Sequence, residues 1–230
     1  DLDAFDLSEL QRNIILRNEV EIFLNLLNTN FNKPPKLYLN NWDKKYAGQG
    51  VFPQETPGII EKKILSDRLQ SIESKLLSIG NSSRKEIKAG KVSKNLLWAG
   101  NNVIILELGK LKAKSVMKGW ISHLQASIHK NPPESTQIIS RSTSKGKRNI
   151  YEITLQWRKV PKTYAEEQLD LIWSLAQQGL ERCWPIPPES GWSFAKASLK
   201  NNLAAEKAFA QCWNGSHNFF GERNNQAMKV

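Results

Sequence analysis

A chain of 230 residues with 40% hydrophobic residues and eight tryptophans can bury one core, and that much apolar surface excludes a disordered tail because it offsets the ordering entropy of folding. Lys and Arg outnumber Asp and Glu by 33 to 22, but unevenly: residues 1–60 carry 6 against 8, residues 61–160 carry 20 against 7, and residues 161–230 carry 7 against 7. A central segment of net +13 between near-neutral flanks points to a surface that meets phosphate.

The first predicted element is a helix running to about Asn28. Asp6 and Glu9 have the spacing of a capping box, and Leu7, Leu10, Ile14, Leu24 and Leu27 are read as its apolar stripe. The Pro, Gly and Asn punctuation of the stretch from Asn28 to Gly58 then predicts a long irregular connection. A second helix is predicted from about Gly58 to Ile79, with Ile60, Ile64, Leu65, Leu69, Ile72 and Leu76 at helical spacing and Gly80 as its stop.

From Arg84 the period shortens. RKEIKAGKVSKNLLWAGNNVIILEL is broken at Ala89-Gly90 and at Gly100-Asn101-Asn102, which predicts three hairpin-connected strands. The next segment, through Lys130, is predicted as a helix burying Leu111, Val116, Trp120, Ile121 and Leu124 and ended by Asn131, Pro132 and Pro133. Two more strands follow, STQIIS and NIYEITLQWRK, joined by the basic stretch RSTSKGKRN. Helices are predicted from Tyr164 to about Arg182 and from Ser190 to about Trp213. The order predicts an α/β or α+β fold around a mixed sheet, divided as an N-terminal helix and connecting loop (1–57) and a main α/β domain (58–230).

Several chemistries are absent. There is no GxxxxGKS/T and no GxGxxG loop to cradle a phosphate, and His123, His129, His217, Cys183 and Cys212 lack zinc-ligand spacing. The two cysteines are expected to be reduced, structural thiols, and His123 and His129 to face solvent or cap a helix. No cofactor is expected. Metal-dependent phosphodiester cleavage needs an Asp on one strand and Asp/Glu-x-Lys on the next. The strand Asn95–Ala99 offers no carboxylate, and Glu107 precedes Lys110 by three positions, with Gly109 where the lysine should stand.

What remains is basic and aromatic. Lys145, Lys147 and Arg148 sit on a Ser/Gly-rich inter-strand connection from which cations can reach a DNA backbone. Lys110, Lys112 and Lys114, two apart, share one face if the segment is extended. These six are the candidate DNA-binding residues, while Arg84, Lys85, Lys88, Lys91 and Lys94 decorate the first strands. Trp120, Trp157, Trp173 and Trp213 are read as core residues in preference to base-stacking platforms.

The motif order resembles the C-terminal domain of the exodeoxyribonuclease V gamma subunit, the RecC family. A W-x-x-H-L helix appears as Trp120, His123 and Leu124, an aromatic-Arg-Lys strand end as Trp157, Arg158 and Lys159, and an E-Q helix with a later Gly as Glu167, Gln168 and Gly179. Pro188, Ser190, Gly191 and Trp192 are similar to the family's P-x-S-G-W segment, and FDLSELQRNIILRNEVEIFL to its first helix. AGQGVFP resembles its G-x-x-P-x-G loop without the usual proline. The resemblance implies a PD-(D/E)XK nuclease-like fold that has lost its catalytic residues. It also implies a place beside RecB-type and RecD-type subunits, handling double-stranded and forked DNA in double-strand break repair; the family's Chi determinants are not carried onto this chain. A start at Asp1 and an end after QAMKV suggest a piece of a longer polypeptide, whose remainder is a further expected partner. With no apolar run of about 20 residues and no basic-then-apolar leader, a cytoplasmic location is expected. Two alternatives stay open: an active Mg²⁺ nuclease using Glu107 and Lys110, and a protein-interaction domain with incidental basicity.

Overall fold

The computed structural model of the chain describes residues 7–27, 41–80, 82–89, 92–144, 146–182, 187–216 and 219–224. Helix α1 spans Glu9–Leu27. Its capping box is made by Ser8 and Gln11: the Gln11 N–H donates to Ser8 Oγ at 3.2 Å and the Ser8 N–H to Gln11 Oε1 at 2.8 Å. The expected pair places Asp6 outside the described residues, and Glu9 serves elsewhere. The stripe is also rotated from the one expected. Ile15, Leu16, Val20, Phe23 and Leu24 are buried with Leu7, while Leu10 and Ile14 are 71% and 51% exposed. Apolar residues surround this helix, so periodicity alone does not set its phase; Arg12, which reaches Glu61, fixes which face meets the next long helix.

The long connection contains a short helix, α2 (Trp42–Gly48), which buries Trp42 and Tyr46 against the same core and was read as irregular because Pro, Gly and Asn flank it. Helix α3 (Glu55–Ile79) buries Leu65, Leu69, Ile72 and Leu76 completely, each worth roughly 1.5–3 kcal/mol, and leaves Ile60 at 51% exposure. It stops at Gly80, whose φ of 142° and close approach to Gly100 suit a residue without a side chain. The α1–α2–α3 core therefore includes residues from both sides of position 57.

Five strands follow as one mixed sheet in the order β1 (Ser82–Ala89), β2 (Val92–Ala99), β3 (Asn102–Glu107), β4 (Ser135–Arg141) and β5 (Tyr151–Arg158). Only β3 and β4 are parallel, and α4 (Ala113–Ser127) makes the crossover between them. The side chains of Ala99, Ile104, Ile139 and Tyr151 join the α1–α3 core on one face of the sheet. Ile87, Leu96, Trp98, Val103 and Ala126 cluster on the other, beneath α4. A mixed α/β fold with a five-stranded sheet between helices is thus established.

Helix α5 (Lys162–Arg182) leans on α4, and the last helical segment divides into an antiparallel pair, α6 (Pro188–Ser198) and α7 (Asn202–Asn214). The break falls where Asn201 turns extended and accepts the Ala204 N–H at 2.7 Å, a cap that the expected single helix omitted. A two-residue hairpin (Gly215–Ser216, Phe219–Phe220) and a 3-10 turn (Glu222–Asn224) close the described residues. No helix among these residues is long and apolar enough to cross a membrane.

Candidate nucleic-acid interface

Strand direction gathers the basic segments at one end of the sheet. Because β3 and β4 run parallel, the Lys110–Lys114 connection leaving β3 and the 142–150 turn leaving β4 start from the same edge, and the Arg141 N–H donates to Gly109 O at 3.0 Å between them. The C-terminal ends of parallel strands are where open α/β sheets usually receive ligands. Tyr151 holds this edge: its hydroxyl donates to Leu108 O at 2.6 Å, and burial raises its pKa to about 12 against the opposing charges of Arg68 and Arg141.

Lys110, Lys112, Lys114, Lys147 and Arg148 are all exposed and form no ion pair with a described residue; Lys145 lies outside the described residues. The shared face expected for Lys110, Lys112 and Lys114 does not extend to the third. Lys112 is extended, with φ −119°, but α4 begins at Ala113, so Lys114 belongs to its first helical turn.

Two carboxylates occupy that helix start. Glu107 accepts the Gly109 N–H at 3.2 Å and the Ser115 hydroxyl, and Glu189 Oε2 lies 3.5 Å from the Ala113 N–H. Expected to be a solvated surface group, Glu107 is half-buried, because a carboxylate beside unpaired N–H groups is favoured over one in bulk water. Its relation to Lys110 gives no ion pair.

Beside this edge the sheet forks. β2 and β3 pair only through Leu97–Ile104, Trp98–Val103 and Ala99–Asn102, so residues 92–96 and 105–107 diverge. The gap forms a cleft of about 540 Å³, bounded by α1 and α4, into which Arg17, Arg84, Lys94, Asn95, Glu107 and Lys118 project. Arg84 is paired with Glu21. Lys94 Nζ donates to Ser122 Oγ at 2.8 Å, and burial, together with the charge of Lys118, lowers its pKa. In the sequence Lys94 and Arg84 only decorate the first strands, and no motif singles out Arg17 or Lys118. Their assembly depends on where pairing stops, for which neither strand carries a local signal.

The resemblance motifs converge on packing positions. His123, expected at the surface or in a cap, is fully buried at the sheet-facing stripe of α4, its Nδ1 2.9 Å from Thr136 Oγ1, and burial lowers its pKa. Its ring lies 5.4 Å from Trp120 and 6.1 Å from Trp157. Gly119 makes room for this cluster, since a Cβ there would sit 2.8 Å from the Trp157 ring. Ser190, also fully buried, donates to Glu222 at 2.6 Å, which ties the start of α6 to the final turn. Trp120, Trp157 and Trp213 are half-buried, but Trp173, read as core, is 62% exposed on α5, which packs along little beside α4. Cys212 is a free thiol, as expected; Cys183 lies outside the described residues, and among those described no three of His, Cys, Asp and Glu converge as a metal site.

A family model described as RecC C-terminal domain matches residues 1–199. No curated protein matches the chain.

Proposed function

Because the chain belongs to the RecC C-terminal domain family, we propose that it is a non-catalytic DNA-binding and scaffolding domain of a RecBCD-type helicase-nuclease acting in double-strand break repair. In this reading the helix–sheet–helix body is a PD-(D/E)XK-like fold without its cleavage machinery, preceded by the N-terminal helix and connection of residues 1–57. RecB-type and RecD-type subunits and duplex or forked DNA are its partners.

The observation that carries the reading is a charge mismatch at one end of the sheet. Glu107 is the sole carboxylate offered by the two diverging strand arms, and both its oxygens are engaged by Gly109 and Ser115. Lys110, Lys112, Lys114, Lys147 and Arg148 stand exposed on the two connections at the same end of the sheet, without ion-pair partners among the described residues. Free cations position a phosphate backbone without reading its bases; a single occupied carboxylate does not assemble a two-strand metal site. The scaffolding half is supported by α5, where Leu171, Trp173 and Leu175 are 53%, 62% and 41% exposed.

Fluorescence anisotropy with a forked duplex over a salt series tests this. Affinity should fall steeply with salt, and Lys112→Ala, Lys147→Ala and Arg148→Ala should each flatten the log–log slope by about 0.9 where they contact duplex. Absence of binding at low salt would favour a protein-interaction domain. Mg²⁺-dependent DNA degradation that disappears in Glu107→Ala would establish a nuclease instead.

A further inference from the structure

The fork between β2 and β3 holds three cations without an ion-pair partner among the described residues. Arg17, Lys94 and Lys118 form no ion pair among the described residues, and the two acidic groups in the cleft are engaged, Glu21 by Arg84 and Glu107 by Ser115 and Gly109. Four cations against two carboxylates leave the lining at +2. A half-buried ammonium beside a second one is unfavourable in the free protein, and an anion removes that cost.

The walls supply further donors. Beyond the Leu97–Ile104 pair the inner edges of both strands have no ladder partner, and Asn95 lines the same cleft. Lys94 Nζ uses one of its three N–H groups on Ser122 Oγ, which leaves two for an incoming oxygen. A cleft of about 540 Å³ is the size of a small-ligand pocket, which suits one nucleotide unit and not two paired strands.

We propose that the β2–β3 fork is a phosphate site for a single nucleic-acid strand, with Lys94 and Lys118 gripping one phosphodiester and Asn95 and the free strand edges completing its shell. The site rests on the nucleic-acid-binding reading above but uses different residues from the exposed rim of Lys110–Lys114, Lys147 and Arg148. The rim meets a backbone lying across the sheet end; the fork admits one strand.

The test titrates the chain with inorganic phosphate and with oligo-dT while following backbone amide NMR shifts, and measures oligo-dT affinity by anisotropy. Oligo-dT should move the amides of residues 94–96 and 105–107, and phosphate the same set at higher concentration. Lys118→Gln, a change at an exposed position, and Lys94→Met should each weaken oligo-dT about tenfold, the loss of one charge-assisted contact. A control removing two charges elsewhere, Lys200→Met with Lys207→Met, should change affinity much less. Unchanged amides, or fork and control variants that weaken oligo-dT equally, would overturn the fork site while forked-duplex binding through the rim persists. Loss of all DNA binding by the unaltered chain would instead overturn the broader reading.

Discussion

Two groups of cations in this fold differ in what surrounds them. Where α1 meets α3 and the end of β4, Arg12, Arg68 and Arg141 each reach a carboxylate. Arg68 and Arg141 donate to Glu9 Oε1 at 2.7 and 2.5 Å, and Arg12 Nε donates to Glu61 Oε2 at 2.8 Å. At the fork and along the neighbouring rim, Lys94, Lys118, Lys110 and Lys112 reach none among the described residues. Charge matched inside the chain holds helices to the sheet, and charge left unmatched is available to an outside anion. Position in the sequence does not separate the two groups, since Arg68 and Arg141 both belong to the same basic central segment as the lysines.

The largest effect should come from breaking the matched group. Arg68 is 4% exposed and bonds Glu9 and Asn149, so Arg68→Met leaves the Asn149 amide without its donor and Glu9 with Arg141 and Arg12 alone. Because Glu9 is 42% exposed and keeps two other arginines, the loss is that of a hydrogen bond to a charged group, about 1.5 kcal/mol at the low end of its range. Urea unfolding should show that loss; a change below about 0.5 kcal/mol would mean the network is incidental.

Acid sharpens the same contrast. Burial raises the Glu9 pKa, but the Arg68 hydrogen bond and the charges of Arg68, Arg141 and Arg12 outweigh it, so the carboxyl lies below its ordinary value. A depressed folded pKa means the unfolded chain binds the proton more readily, so this contribution is complete above about pH 5 and is lost as pH falls through the folded value. Melting temperature followed from pH 6 to pH 3 should fall less steeply in Glu9→Gln than in the unaltered chain. Parallel curves would remove Glu9 from the acid response.

How much of this could be read beforehand depended on whether the cause was local. The strands, α4 and α5 were legible because period, Gly and Pro breaks and helix stops act over a few residues. The phase of α1 was not, since apolar residues ring it and the tertiary pair Arg12–Glu61 decides. His123 was misplaced because residue type suggested water while its position, four after Gly119, put it under the Trp157 ring. The exposure of Lys110, Lys112, Lys147 and Arg148 was legible because each is a cation on a connection. The fork was missed because it requires knowing that the β2–β3 ladder ends after three residue pairs.

The smallest effect concerns an unmatched cation and has the opposite sign. Burial and the charge of Lys118 lower the Lys94 pKa, so folding disfavours its ammonium form. Below that folded pKa the lysine stays charged and detracts from stability, and the deficit is recovered as pH rises through it toward the unfolded value near 10.4. Lys94→Met keeps the stem volume and removes the charge, so its urea midpoint at pH 7 should lie slightly above that of the unaltered chain, with the difference shrinking near pH 10. The sacrificed Ser122 hydrogen bond acts against this gain and keeps it small. A group retained at some cost to the fold is spent on binding, so stability and oligo-dT affinity should move in opposite directions in this variant. If both fall together, Lys94 belongs with the matched cations and the division between the two groups fails at its most informative residue.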